Sequence, residues 1–260
     1  MPSVKVERAD IYYEVHGDGE EVVVLGHGAS GNTLSWFANV PGLLEHYRVI
    51  LFDHRGYHRS PCRERDVHVR YFASDLFAIL DQEKIRRVAV CGHALGAWTA
   101  LDAGRHPDRV WAAVLSASAG GIVPPGIANA FRTGPGQHVG KPTLRPYVVA
   151  PGFVEKRPDM MFLAAQIARL NESPPDPSTV MLDPAVAVKP ESLVGYRTPT
   201  LVIAGEESQI IPHADLKAAA ALIPGSEFYV MPGVGHSPAW ENPELYNQVV
   251  LDFLARHRPR

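Results

Sequence analysis

Short apolar runs alternate with longer amphipathic stretches along this chain. Strand-like runs occupy residues 11–15, 22–25, 48–52, 88–91, 110–115, 200–204 and 227–231. Between most of them, apolar residues recur at helical spacing over 69–80, 95–105, 212–222 and 243–256. Strand, helix, strand in succession predicts βαβ units. These imply an α/β fold with a mostly parallel central sheet, helices on both faces, and an antiparallel strand or two at the start. In such sheets functional residues gather beyond the carboxyl ends of the strands. Residues 120–196 break the rhythm. They are rich in proline and glycine, as in Pro124-Pro125-Gly126 and Ser173-Pro174-Pro175-Asp176-Pro177, and only 160–170 reads as a helix. The expected organisation is a core domain of residues 1–119 and 197–260, with residues 120–196 inserted as a cap subdomain that covers a pocket.

Composition narrows the partners. The chain has 260 residues, 46% hydrophobic and 20% charged, with a formal net charge of −3. That is enough apolar mass for one large core, without the basic footprint that nucleic acid or an anionic membrane surface requires. The two cysteines, Cys62 and Cys91, make no disulfide framework and fit a reducing compartment. The first residues lack the apolar core of a signal peptide, and no apolar run approaches the ~20 residues of a membrane-spanning helix. A cytoplasmic protein acting on a small molecule is expected, with no nucleic acid or membrane partner. Oligomeric state is not legible.

Four segments that follow strands carry the chemistry. They are His27-Gly28-Ala29-Ser30-Gly31, then Asp53-His54-Arg55-Gly56-Tyr57-His58-Arg59-Ser60, then Cys91-Gly92-His93-Ala94-Leu95-Gly96-Ala97, and Gly233-Val234-Gly235-His236-Ser237-Pro238. In this order and spacing the chain resembles the α/β-hydrolase superfamily, in particular its small capped esterases, lactonases and carbon–carbon bond hydrolases. The resemblance covers nearly all of the chain outside 120–196. It implies a sharp strand-to-helix turn presenting a nucleophile, a histidine from the last loop that takes its proton, a carboxylate that orients the histidine, and backbone N–H groups for the oxyanion.

Mapped residue by residue, that pattern is incomplete. His236 takes the histidine position, and Ala29 and Leu95 take the oxyanion-hole positions. The nucleophile position is Ala94, whose methyl group cannot attack anything. The acid position, three residues after the glycine that ends strand 200–204, is Ser208; the alternative slot after strand 110–115 reads Ser116-Ala117-Ser118. A serine hydroxyl can accept a histidine N–H but cannot stabilise an imidazolium as a carboxylate does. Glu206 and Glu207 adjoin the slot, where solvated loop charges are the plainer reading. Ser30, Trp36, His58 and Trp240 are candidate pocket walls, and His93 is expected to pack behind the turn. Cys91 reads as a small core residue rather than a substitute nucleophile. The histidines have no metal-ligand spacing and the glycines no dinucleotide fingerprint, so no metal and no cofactor are expected.

These residues leave three readings open. One is an enzyme working without a serine nucleophile, through His236 as general acid/base beside an oxyanion hole, in lyase, cyclase, decarboxylase or cofactor-independent oxygenase chemistry. The second is a serine hydrolase of esters, lactones or carbon–carbon bonds inactivated by Ser→Ala at position 94. The third is a ligand-binding protein without catalysis. Because two triad positions are altered and His236 is retained, the first is favoured.

Overall fold

The computed structural model describes residues 2–138, 146–177, 180 and 186–259. Eight strands form one sheet: β1 (Ser3–Val6), β2 (Ala9–His16), β3 (Val22–Gly26), β4 (Arg48–Phe52), β5 (Val88–His93), β6 (Val110–Ser116), β7 (Thr200–Gly205) and β8 (Glu227–Met231), in the order β1-β2-β4-β3-β5-β6-β7-β8. β1 pairs antiparallel with β2, and β2 antiparallel with β4; all the other pairings are parallel. The expected α/β fold is thus the observed one. β1 was not legible as a strand, because its four residues alternate exposed and buried on the sheet edge and meet β2 through a turn with Arg8 at φ +63°.

The central strands read as continuous apolar runs because both faces are covered. Their alternation divides the core in two. Val24, Val90, Leu115 and Val202 face α2 (Phe72–Gln82), α3 (Gly96–Ala103) and the helix His213–Ala220. Leu25, Cys91, Val114 and Ile203 face the short helix α1 (Val40–Leu44) and the C-terminal helix Pro243–His257. The helix expected from residue 69 begins only at Phe72; residues Val69–Tyr71 form a 3-10 turn capped by the His68 ring, which accepts the Arg70 N–H at 3.1 Å.

Between β6 and β7 lie α4 (Pro125–Thr133), α5 (Phe153–Lys156) and α6 (Pro158–Arg169). The last of these is the helix expected at 160–170, begun two residues earlier by Pro158 at its first turn, a position where proline has no N–H to lose. After β7 come α7 (His213–Ala220), α8 (Pro238–Glu241) and α9 (Pro243–His257). No helix among the described residues is long and apolar enough to cross a membrane.

Candidate active site

The turn from β5 into α3 has the geometry of a nucleophile elbow. Ala94 sits at φ +46°, a left-handed conformation that costs a residue with a Cβ about 1 kcal/mol or more. It is held there by a hydrogen bond from its N–H to the Ser116 carbonyl at 2.8 Å and from the Ala97 N–H to its own carbonyl at 3.1 Å. The flanking glycines are dictated by contact: a Cβ on Gly92 would lie 2.0 Å from the Gly96 carbonyl oxygen, and one on Gly96 would lie 2.3 Å from that of Gly26. The elbow is therefore built in full around a methyl group.

Opposite it, the loop after β8 carries His236, 8% exposed, with its ring 5.8 Å from that of His93. Burial, then the neighbouring His93, push His236 down to about 3, so the ring is neutral at ordinary pH. Its Nδ1 is sealed from solvent and has no hydrogen-bond partner among the described residues. Ser208, which holds the acid position, does not supply one. Its amide donates to the Gly205 carbonyl at 3.3 Å, its Oγ is likewise sealed without a partner, and it does not line the cavity described below. The glutamates are not in the cavity wall either. The Glu206 carboxylate accepts the Gly233 N–H at 3.0 Å, and Glu207 is exposed.

The carboxylate that does serve this loop is Glu241, at the end of α8. Its oxygens accept the N–H groups of Gly235 at 3.0 Å, Ser237 at 3.1 Å and Ala150 at 2.7 Å, clamping the residues on both sides of His236 to the β6–β7 segment. Burial pushes its carboxyl up and the three amides oppose that shift. Ser237 Oγ adds a bond to the Val148 carbonyl at 2.7 Å. Sequence reasoning missed this residue. The only signal was a glutamate at a fixed offset from His236, with nothing to say that it acts through backbone.

The loop after β3 is fixed from below. His27 donates Nδ1–H to the Gly28 carbonyl at 2.7 Å and accepts the His54 N–H at Nε2, 3.0 Å away, so its tautomer is set. Asp53 accepts the Thr33 and Arg59 N–H groups at 2.7 and 3.1 Å. Neither Ala29 nor Leu95 spends its N–H in a hydrogen bond among the described residues, and both line the cavity. Burial lowers His27, His54 and His93, the last to about 4. Among the described residues no group of three or more His, Cys, Asp or Glu side chains is placed to hold a metal ion. The Cys91 thiol, buried in the strand, is pushed up to about 12 and is inert as a nucleophile.

A cavity of about 910 Å³ lies over these loops. His93, Ala94 and His236 are in its wall together with Ala29, Leu95, Ser30, Trp36 and Trp240, and apolar groups from the β6–β7 segment (Ile122, Ile127, Phe131, Met161) close the other side. Trp240 is braced edge-on by Phe37 at 5.3 Å. His93 corrects the sequence reading, since it faces the cavity rather than packing behind the turn. His58 is a second correction, because it lies outside the lining. Its Nδ1–H donates to the Leu170 carbonyl at 3.0 Å, which ties the loop after β4 to the end of α6. In the loop after β3, the Asn32 side-chain amide donates to the Ile167 carbonyl of α6 at 3.0 Å.

The model of the alpha/beta hydrolase family matches residues 22–249. Among curated proteins, the chain is 27% identical to "Putative carbamate hydrolase RutD" of Caulobacter sp. (strain K31), covering 94% of this chain and 96% of that protein. A solved structure of Est816, described as an N-acyl homoserine lactone degrading enzyme, superposes with a TM-score of 0.80 at 28% identity over 97% of this chain and all of that one. A thermophilic esterase from Thermogutta terrifontis shares the fold, with a TM-score of 0.79 at 23% identity over 96% of this chain and 95% of its own.

Proposed function

Because this chain belongs to the alpha/beta hydrolase family, we propose that it is a small-molecule enzyme that works without a covalent acyl intermediate, with His236 as general acid/base. The observation that carries this reading is the juxtaposition of a complete elbow around Ala94 with a neutral His236 in the same cavity wall. The Ala29 and Leu95 N–H groups form the oxyanion hole, and Ser30, Trp36 and Trp240 shape the pocket. Residues 120–196 act as the cap over the core of residues 1–119 and 197–260. The substrate is a small organic compound with an apolar body, matched to the Ile, Phe, Met and Trp side chains of the wall.

Burial makes His236 a weak base on its own. An anion forming at the two amides stands close to the developing imidazolium and raises its proton affinity as transfer proceeds, because opposite charges in a dry site attract strongly. Lyase, cyclase and cofactor-independent oxygenase reactions begin with this step; a decarboxylation reaches the same oxyanion by losing CO₂, and the histidine then supplies the proton.

Hydrolysis is the second reading, favoured by the names of the relatives, which include a carbamate hydrolase and a lactone-degrading enzyme. In it the chain is a serine hydrolase of esters, lactones or carbon–carbon bonds that lacks the hydroxyl at position 94. The discriminating experiment is Ala94→Ser assayed with p-nitrophenyl acetate. The nucleophile-free reading expects sustained ester turnover to stay within about tenfold of the parent chain, because His236 has no carboxylate to stabilise its imidazolium. Turnover raised by about a thousandfold or more would mean that the machinery lacked only its hydroxyl, and would favour a disabled serine hydrolase.

A further inference from the structure

We propose that His93 is a second catalytic residue, an uncharged Nε2–H donor to the substrate oxygen working opposite His236, and that the pair equips this site to enolise small apolar carbonyl compounds. The inference rests on the reading of His236 as base and adds the electrophile and the substrate class.

The geometry carries it. His93 and His236 both line the cavity, their ring centroids 5.8 Å apart and their planes inclined at 59°, with no hydrogen bond between them among the described residues. In each ring Nδ1 is the nitrogen sealed off without a partner, which leaves Nε2 as the nitrogen toward the cavity. The His93 ring also lies along the oxyanion loop. A Cβ on Gly28 would stand 2.9 Å from His93 Cδ2 and 3.4 Å from Nε2, so the missing side chain of Gly28 is what lets the ring come to rest beside Ala29. His93 Nε2 thus belongs with the Ala29 and Leu95 amides on the side where an oxygen is received. His236 and Ala94 share the cavity wall, and the Ala94 methyl group leaves space that a serine hydroxyl would fill.

A neutral imidazole presents one donor and one acceptor. With opposite tautomers, the two Nε2 atoms form one base and one acid. An uncharged ring polarises a carbonyl as a donor without discharging the base facing it, which a cationic ring would do. The step balances within these groups. The α-proton moves to His236 Nε2, the C–H electron pair forms the C=C bond, and the carbonyl π pair moves onto the oxygen. That oxygen is held by His93 Nε2–H and the two amides. The imidazolium then returns its proton to the same or a conjugated carbon, restoring both rings with no oxidant or reductant.

Two measurements test this. In protein labelled with ¹⁵N-histidine at about pH 7.5, two-bond ¹H–¹⁵N spectra should show both rings neutral, His236 with its proton on Nδ1 and His93 with its proton on Nε2; His93 protonated on Nδ1, or either ring charged, overturns the proposal. The second is deuterium uptake from D₂O into 2-indanone, an apolar enolisable ketone, measured by ¹H NMR. The parent chain should exceed buffer. His93→Phe, which fills the space without a donor, should lose about tenfold in kcat with KM little changed. His93→Gln, which restores an N–H donor, should recover most of the loss. Loss by both variants alike, full activity in His93→Phe, or no exchange above buffer each overturns the proposal. Exchange that survives His236→Gln but not His93→Phe would instead sink the assignment of His236 as base.

Discussion

Glu241 determines where His236 can stand, although it never touches the ring. A carboxylate that accepts three backbone N–H groups from Gly235, Ser237 and Ala150 holds the histidine loop from both sides. Replacing it by glutamine puts an NH₂ group against amides that need acceptors. We expect Glu241→Gln to cost about 1–3 kcal/mol in urea unfolding, the usual penalty for buried donors left unpaired. The catalytic rate should fall with it, since the imidazole loses its fixed aim; unchanged stability would show that the amides find other partners. At this scale the sequence was legible where a motif at the end of a strand marks a position. Ala94, His236, Ala29 and Leu95 all fall in the cavity wall. It was opaque where a side chain works through backbone, as with Glu241. It also misled where a loop turns a ring away, as with His58 at φ +37°.

The elbow and the loop after β7 are separate elements, and each departs from what a serine hydrolase needs. Adding a hydroxyl at 94 alone supplies a nucleophile with an unassisted base. Adding a carboxylate at 208 as well offers His236 Nδ1 the partner it lacks among the described residues. The double variant Ala94→Ser with Ser208→Asp should therefore hydrolyse p-nitrophenyl acetate about a hundredfold faster than Ala94→Ser, with a burst of p-nitrophenol. Equal rates would show that residue 208 cannot reach the ring even as an acid. The strands of the parallel sheet were readable because burial on both faces makes them continuous apolar runs, as in Val22–Gly26 and Val110–Ser116. In the segment between β6 and β7 only α6 was readable. The segment's fixed points are contacts far apart in sequence, such as the Asn32 amide on the Ile167 carbonyl and the Asn171 amide on the Ser30 carbonyl, and no local periodicity encodes them.

Across the whole molecule, the buried histidines make stability depend on pH. Burial lowers His27, His54, His93 and His236 below the ordinary 6.5, His93 to about 4 and His236 to about 3. As pH falls through about 6.5 the unfolded chain takes up protons that the folded chain refuses, so unfolding is favoured. Stability is full above that point and declines down to the folded-state values, each ring contributing up to about 1.4 kcal/mol per pH unit. The urea midpoint should fall steadily between about pH 7 and about pH 4, and His93→Gln should flatten the decline. A midpoint independent of pH over that range would contradict the neutral, buried state of these rings. Burial leaves His236 uncharged and so able to accept a proton, with no carboxylate bonded to its ring among the described residues. The most direct measurement is kcat/KM of His236→Gln against the parent chain on any substrate that the parent turns over. A loss of about a hundredfold or more, with the fold intact by circular dichroism, is the predicted result; an unchanged value would contradict it.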